Sequence, residues 1–454
     1  MSAKVNAPLD AEFIPVPVVL REFLAKTKDE QKIVIGVERS GGNISVFPLT
    51  VYKDGTGHDD DNYDIVERIV KSLLWIYGGW KVIIAGSDTI GAKVKAAYSV
   101  GGAREFDRKT MSDVYEHDFT VESVPLANAP VRKETFIPAA KNTKGCRIGF
   151  DAGGSDRKVS AVIDGETVYD EEVVWFPKTN DDPKYHYEGI KTAFQTAASK
   201  MPRVDAIGVS SAGIYVDNKI MLASLFVKVP KTPDNVATIK NMYTDIAKEV
   251  APNAPLVVAN DGDVSALAGA MVLNDNAVLG VAMGTSEAVG YVDGNGDITG
   301  WLNEMAFVPL DFNKASITDE WSGDYGCGVK YLSQDSVIKL APKAGIELDP
   351  SLSPAEKLKV IQKAMTDGNP DAPKIYETIG VYFGYAIAYY ALFMEIRHVL
   401  FLGRVSSGKG GEIVLEYAKK VLAEDFPDLA KGIDISLPDE KFRRVGQSFA
   451  AASL

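Results

Sequence analysis

The sequence predicts an α/β fold divided into two or three domains. Three observations carry that reading. Strand-like apolar runs alternate with amphipathic helices along most of the chain, and glycine- or asparagine-containing turns join many of the strands in pairs. In addition, 454 residues exceed what one hydrophobic core organises.

From the N-terminus, residues 1 to about 30 read as a capping arm with Pro15 and Pro17. IVIGV (33–37) and NISVFPLTVY (43–52) form a hairpin across Ser40-Gly41-Gly42. Apolar residues then recur at Ile65, Val66, Ile69, Val70, Leu73, Leu74 and Tyr77, an amphipathic helix. KVIIAG (81–86) is a buried strand, and a helix follows through Tyr98. The proline-punctuated stretch 128–145 reads as a linker. No helix-turn-helix pattern marks this first unit as a DNA reader. A second module opens with CRIGFDAGGS and the hairpin KVSAVIDGETVYDEEV (158–173), which turns at Asp164-Gly165. A helix around Phe194, the strand AIGVSSAG (206–213), a hairpin at Asp217-Asn218, a helix Val236 to Val250 and the strand LVVAND (256–261) follow. A small-residue helix then leads to VLGVAMGTS (278–286) and a hairpin through Gly294 and Gly296. The remainder is expected to be mostly helical up to VLFLGRVSSGKGG (399–411), with a closing helix over 441–454.

Composition excludes several functions. Hydrophobic residues make up 46% and charged residues 24%, the balance of a soluble globular protein. A net charge of -13 opposes a large nucleic-acid or anionic-membrane footprint. Two cysteines, Cys146 and Cys327, supply neither a disulfide framework nor a thiolate zinc site. His58, His117, His186 and His398 form no i, i+4 metal pair and lie near no nucleophile turn, which disfavours zinc catalysis and hydrolase triads. No basic-then-apolar signal opens the sequence. The apolar run Ile379 to Ile396 contains Gly380, Gly384 and four tyrosines and reads as a buried helix rather than a membrane span. A cytoplasmic setting is expected.

Three glycine-rich, hydroxyl-bearing turns each follow a strand: Asp151-Ala152-Gly153-Gly154-Ser155, Gly284-Thr285-Ser286, and Gly403-Arg404-Val405-Ser406-Ser407-Gly408. Glycine admits a phosphate close to the backbone, and N–H groups with Ser and Thr hydroxyls donate to its oxygens. The first two turns stand about 130 residues apart with a strand ending in Asn260-Asp261 between them, the skeleton of a two-lobed nucleotide clamp. Asp261 is placed to act as a general base, and equally to cap the helix that follows. Asp263 reads as that cap or as a supporting group. Asp151 is placed to hold magnesium directly or through water, or to close an Asx turn. Arg157 and Lys158 can neutralise phosphate or simply lie solvated on the hairpin.

In these motifs the chain from about 146 to 454 resembles the ROK family of sugar kinases and regulators, within the actin, hexokinase and heat-shock-chaperone superfamily. GFDAGGS is similar to its first phosphate motif, LGVAMGTSEAVGY to its second, LVVANDGDVSALAGA to the catalytic-aspartate segment and FLGRVSSG to the adenosine loop. The resemblance implies an α/β, two-lobed actin-like ATPase (ribonuclease-H-like lobes) with an added N-terminal α/β domain. The expected divisions are 1–143 for the accessory domain, 146–262 plus 441–454 for the first lobe, and 263–440 for the second. It implies ATP and magnesium as cofactors and a small sugar or sugar derivative as acceptor. Asp261 is then catalytic, and Asp151 positions magnesium. Gly153, Gly154, Ser155, Gly284, Thr285, Ser286, Gly403, Arg404, Ser406 and Gly408 bind nucleotide, and Asn260, Glu304 and Ser211 bind substrate.

The chain also departs from the family pattern. TGWLNEMAF is similar to the G-E-x-G-H segment, with Glu304 on the sugar-contacting glutamate but Phe307 on the zinc-ligating histidine. EWSGDYGCGVKYLS (320–333) is similar to the zinc loop C-G-C-G-x-x-G-C-x-E, yet Glu320 and Ser322 stand for cysteines and Val329 for a sugar-contacting glutamate. Ser210-Ser211-Ala212-Gly213 stands where a Pro-Gly-Pro turn is expected. No structural zinc is expected, and packing around Trp321 and Tyr331 is expected to hold the loop. A less polar acceptor than glucose, such as an amino or acylated sugar, follows from the lost hydroxyl contacts. The reading is an ATP-dependent carbohydrate kinase, with no nucleic-acid or membrane partner and homo-oligomerisation left open. Its rivals are a non-catalytic ROK-like sugar sensor and an actin-like ATPase acting on a partner protein. The N-terminal unit is expected to serve packing or oligomerisation, leaving 146–454 able to fold without it.

Overall fold

The computed structural model describes residues 3–28, 30–139, 142–438 and 446–454. The chain divides into two compact units. The larger contains Met1–Thr135, Val281–Val289 and Trp301–Leu437; the smaller contains Phe136–Gly280, Gly290–Gly300 and Pro438–Leu454.

The N-terminal arm contains a helix the sequence reading omits, α1 (Val16–Lys26), with Pro17 in its first turn, where no N–H is needed. Strands β1 (Glu30–Arg39) and β2 (Asn43–Tyr52) form the expected antiparallel hairpin, with Glu30 opposite Tyr52 and Arg39 opposite Asn43. Helix α2 (Asp59–Tyr77) opens with Asp59, Asp60 and Asp61 at its positive end. Strand β3 (Lys81–Ala85) leads into α3 (Asp88–Ala97), whose N-cap Ser87 accepts the Ile90 N–H. Helix α4 (Glu105–Tyr115) and strand β4 (Thr120–Val124) complete a sheet ordered β2-β1-β3-β4. The sequence reading passes over both, because α4 buries few apolar side chains, Met111, Val114 and Tyr115. The expected linker is not free. Lys133 exchanges both backbone bonds with Ile44, and Glu134 is buried against Arg39 at 3.1 Å. Residues 140 and 141 of that stretch lie outside the described residues.

After the short β5 (Ile137–Pro138), the smaller unit follows the predicted order closely. Strands β6 (Cys146–Ala152), β7 (Asp156–Ile163) and β8 (Glu166–Val174) run antiparallel, and Asp164 and Gly165 take φ of 50° and 87° in the β7–β8 turn. Helix α5 (Pro183–Ala198), β9 (Ala206–Ser211), the hairpin β10 (Ile214–Val216) and β11 (Lys219–Leu222), α6 (Pro233–Val250), β12 (Leu256–Asn260) and α7 (Asp261–Leu273) follow. The five-stranded order is β12-β9-β6-β7-β8, with β12, β9 and β6 mutually parallel. Ile148, Phe150, Phe194, Ile207, Val209 and Tyr243 fill its core. Strands β13 (Val278–Met283), β14 (Glu287–Val292) and β15 (Asp297–Ile298) continue the chain, and β15 pairs with β5.

From Trp301 to Ser333 the expected helix is replaced by irregular chain with short 3-10 turns. Polar side chains there bond to nearby backbone: Asp311 accepts the Asn313 N–H and Asp319 the Ser322 N–H, which competes with helical bonding. Helices α8 (Gln334–Leu340), α9 (Pro354–Thr366) and α10 (Ala372–Tyr390) come next. The apolar run thus leaves the helix at Tyr390, and α10 is buried along its length. Among the described residues no helix is long and apolar enough to cross a membrane. Strand β16 (His398–Leu402), α11 (Gly408–Asp425), α12 (Pro427–Ala430) and β17 (Asp434–Ser436) complete the larger unit, with β16 and β17 parallel.

The closing helix is α13 (Gln447–Ala452); residues 441–445 of the predicted span lie outside the described residues. It lies directly on β6 and β9. A Cβ at Gly149 would sit 1.8 Å from the Ser448 carbonyl oxygen, and one at Gly208 1.8 Å from that of Ala451, so only glycine fits either strand position. Ser160 and Ser448 share a hydroxyl bond of 2.7 Å, and Arg147 donates to the Ala452 and Leu454 carbonyls. Gly208→Ala is therefore expected to destabilise by about 1–3 kcal/mol through overpacking. Gly432→Ala, with no other atom closer than 4.0 Å to its new methyl, is the control. Thermal melts of both variants check this, and equal melting temperatures would refute the contact.

Candidate functional site

In the smaller unit, parallel register lines up three strand ends. Asp151 of β6 stands opposite Ser210 of β9, and Ser211 stands opposite Asn260 of β12. Asp151 is buried, and the Ser210 hydroxyl donates to its Oδ1 at 2.8 Å. Burial pushes the Asp151 carboxyl up to about 6; Ser210 opposes this, and the charge of Asp261 adds to it. Asp261 is itself raised, chiefly by burial, while the Gly262 N–H and Lys178 oppose. Asp151 thus senses the Asp261 charge, and carboxylates gathered beside a hydroxyl suit a hard divalent cation that keeps some water. Their donor set fits magnesium.

The helix-cap question resolves onto a neighbour. Asn260 is the N-cap of α7, accepting the Gly262 N–H at 2.7 Å while its amide donates to the Gly213 carbonyl at 2.8 Å. Asp263 is not a cap: it is buried and accepts the Tyr291 N–H at 3.0 Å. Asp261 begins the helix, partly exposed. Ser211 is fully buried and accepts the Tyr243 hydroxyl at 3.0 Å.

The Gly153–Ser155 turn lies at the surface, its Gly153 carbonyl accepting the Trp175 indole N–H at 2.8 Å. Sequence reasoning missed Lys178, whose amine would lie 3.3 Å from a Cβ at Gly154 and whose charge lowers the Asp261 pKa. No local pattern joins Lys178 to that turn; the fold does. Lys158 pairs with Asp156 and Glu172 on the hairpin at 3.6 and 3.8 Å, and burial holds Arg157 below its usual range.

In the larger unit, the turn Gly284–Ser286 and the turn beginning at Gly403 come together. Gly403, at φ 90°, lies so close to Met283 that a Cβ would be 2.5 Å from its carbonyl oxygen. Thr285 and Ser286 are exposed, as are Gly403, Arg404 and Gly408, while Ser406 is half-buried. Gly408 opens α11, an 18-residue helix whose positive end favours an anion. Beside it a cavity of about 250 Å³ is lined by Gln362, Met365, Thr366, Tyr376, Ser407 and Gly408. Its tyrosine and open helix end suit an aromatic, anionic ligand.

Glu304 is half-buried before the short turn Met305–Phe307. A second carboxyl that sequence reasoning missed lies near it. Glu287 is 3% exposed, Tyr390 donates to its Oε1 at 2.9 Å, and its Oε2 meets no donor among the described residues. Burial pushes Glu287 up to about 8; the Tyr390 bond opposes and the Glu304 charge adds. The signal was available: Glu287, Val289 and Tyr291 share one face of β14, and all three are buried.

The donors for structural zinc do not fit. Phe307 packs at a tilt against Trp75 with ring centroids 4.2 Å apart, Glu320 pairs with Lys330 at 2.5 Å, and Ser322 lies 3.6 Å from the Cys327 sulfur. Burial pushes the Cys327 thiol up to about 11, so it stays protonated. Trp321 is 78% exposed and anchors nothing, against expectation, whereas Tyr331 is buried and donates to Asp311 at 2.7 Å.

Residues 147–428 match the ROK family. Among solved structures, a ROK hexokinase from Thermus thermophilus aligns at TM-score 0.52 and 16% identity, covering 68% of this chain and 96% of that one. A ROK family transcriptional regulator, a homologue of the E. coli MLC protein, aligns at TM-score 0.52 and 16% identity over 69% and 79% of the two chains. No curated protein matches the sequence. The fold is that of the two-lobed actin-like ATPases, carrying an added N-terminal α/β segment. The chain belongs to the ROK family.

The Glu287 carboxyl gives a pH prediction. Its folded pKa of about 8 lies above the ordinary 4.5, so its stabilising contribution is complete below pH 4.5 and is lost as pH rises through 8. Glu287→Gln should melt near wild type at pH 5 and progressively above it from pH 6 to 8.5. Parallel melting curves across that range would refute the shift.

Proposed function

We propose that this protein is an ATP-dependent kinase that transfers the γ-phosphate to a hydroxyl of a sugar or sugar derivative. The observation that carries the proposal is the pair Asp151 and Asp261 at the carboxyl ends of β6 and β12, the two strands that flank β9. Asp261 there begins a helix already capped by Asn260. A carboxylate not needed as the cap is available to accept a proton. The fold shared with a hexokinase of the same family supports this reading.

In the proposed reaction Asp261 accepts the acceptor's hydroxyl proton as that oxygen attacks the γ-phosphorus. The bond from γ-phosphorus to the bridging oxygen breaks, and ADP leaves with its electron pair. Asp151 would hold magnesium, which supplies positive charge against the phosphates. Ser210 keeps the Asp151 carboxylate oriented through its hydroxyl. The turns at Gly153, Gly154 and Ser155 and at Gly284, Thr285 and Ser286 are proposed to donate N–H and hydroxyl groups to phosphate. Gly403, Arg404, Ser406 and Gly408 are proposed on the adenosine side, where Tyr376 lines the neighbouring cavity. Glu304 is proposed to accept from an acceptor hydroxyl. Asn260 and Ser211, which already bond within the protein, are proposed to shape that region. With Phe307 packed against Trp75 and Val329 apolar, an amino or acylated sugar suits the pocket better than glucose.

A sugar-responsive regulator is the second reading. The aromatic packing of Phe307, which removes a polar family position, favours it, as does the fold shared with a ROK regulator. Turnover of ATP against a sugar panel separates the readings. Acceptor-dependent ADP release supports the kinase, acceptor-independent release an ATPase acting on a partner, and binding without turnover the sensor.

Asp261→Asn is expected to lower turnover ~10²- to 10⁴-fold with nucleotide affinity and melting temperature unchanged. Asn260→Ala is expected to cost about 1 kcal/mol of stability through the lost cap. Unchanged turnover in Asp261→Asn would refute the base. Because Asp151 titrates near 6, protons compete for it at low pH, and the magnesium concentration for half-maximal rate should fall as pH rises from 5.5 to 7.5. A magnesium requirement independent of pH would remove Asp151 from that role.

A further inference from the structure

The region that lacks zinc ligands is occupied by charge of another kind. Six ionisable side chains are buried together in the larger unit: Glu67, Arg68 and Lys71 of α2, Arg104 and Asp107 at α4, and Asp324 of the 320–333 loop. Exposure runs from 0% at Lys71 to 9% at Arg104. Arg68 forks onto both Asp324 oxygens at 2.9 and 3.3 Å, Arg104 reaches Oδ1 at 2.7 Å, and Lys71 reaches Oδ2 at 3.2 Å. Glu67 balances Arg68 and Arg104, and Asp107 balances Lys71 at 3.1 Å. Three cations therefore meet three carboxylates. Although burial opposes their charge, Lys71 and Arg68 are held above their usual ranges, Lys71 by Asp107 first and Arg68 by Glu67 first.

The same two helices meet the other vacated zinc position. Phe307 lies between Trp75 of α2 and Phe106 of α4, with centroids 4.2 and 5.6 Å away. From Asp324 the loop transmits position in two directions. The Gly328 N–H donates to the Val308 carbonyl at 2.9 Å and Cys327 bridges Pro309, which fixes the segment after Glu304. Beyond the loop, the Gln334 N–H donates to the Gly284 carbonyl at 2.9 Å, which fixes the Gly284–Ser286 turn.

We propose that the clamp of Arg68, Arg104 and Lys71 on Asp324 is a positioning device that does for this loop what a bound zinc ion would do. The N-terminal segment is then a built-in part of the acceptor-recognition half rather than an appendage. A fork of guanidinium on carboxylate fixes direction as well as distance, as metal ligation does. Removing one member leaves a buried charge uncompensated, so the device works only as a complete set. The placement of the loop rests on geometry alone, and only the kinetic arm below rests on the kinase reading.

The test uses full-length protein and hydrogen exchange read by peptide. Asp324→Asn keeps the shape and removes one charge. Exchange in 304–310 and 317–333 is expected to rise about tenfold or more, while the five-stranded sheet of the smaller unit stays protected. Arg68→Met with Asp324→Leu leaves two balanced pairs, Lys71 with Asp107 and Arg104 with Glu67. That double variant is expected to recover the wild-type melting temperature, yet keep the fast exchange in 317–333. It also carries the test if Asp324→Asn does not fold. Unchanged loop exchange in Asp324→Asn, a rise spread evenly over the larger unit, or restored loop protection in the double variant would each overturn the clamp. So would about one chelator-resistant zinc per wild-type chain by elemental analysis. With an acceptor in hand, the double variant should raise acceptor KM about tenfold and leave nucleotide KM unchanged; equal shifts in both would count against positioning. Wild-type protein inert toward every acceptor would sink the kinase reading and leave the exchange result standing.

Discussion

The parallel register of β6, β9 and β12 is the constraint on which the candidate chemistry rests. Parallel pairing brings the carboxyl ends of three strands to one edge, so Asp151, Ser210, Ser211 and Asn260 become neighbours although far apart in the chain. A shift of one residue would turn each side chain to the opposite face of the sheet. The closing helix secures this register. It occupies space that Gly149 and Gly208 leave on two of the strands and receives Arg147 at its end. A helix far from the strands in sequence thus holds the strands in place.

The larger unit solves a different problem, an irregular segment from Trp301 to Ser333 that must keep a defined shape without regular hydrogen bonding. Metal ligation is one solution, and the donors here do not permit it. Local bonds from Asp311 and Asp319 supply part of the order, and burial of Tyr331 supplies more. The charge cluster around Asp324 carries long-range direction, because its partners come from helices hundreds of residues earlier. The N-terminal segment falls in one compact unit with 301–437, and this cluster is among the contacts that join them. Cutting it away would strand Asp324 and uncover Phe307.

Substitutions within the family pattern are coherent when read together. Phe307, Ser322 and Val329 each stand where the family pattern carries a metal-binding or polar group; Phe307 packs against Trp75 and Phe106, and Ser322 bonds with Asp319 and Asp324. Glu287 is a buried carboxyl in the region where Val329 no longer supplies one, with Glu304 close enough to influence its proton. A buried carboxyl therefore remains in this region although Val329 supplies none.

By itself the sequence determined most of the smaller unit. Its central strands are short apolar runs bounded by turn residues, its turns carry Asp164-Gly165 and Asp217-Asn218, and its helices have proline near their starts. These are local signals, set by backbone sterics and one-sided burial. The glycine turns and the two aspartates were legible for the same reason, since each lies at the end of an apolar strand. What only the tertiary structure decided depends on distant partners. Asn260 rather than Asp263 caps α7, because Asp263 is drawn to the Tyr291 N–H of β14. Lys178 reaches the first glycine turn only because the chain after β8 folds back on it. Arg68, Lys71 and Arg104 read in sequence as helix-face charges that water would solvate. They become a buried clamp because Asp324 arrives from 256 residues beyond Arg68, and long-range charge pairing leaves no local pattern to read.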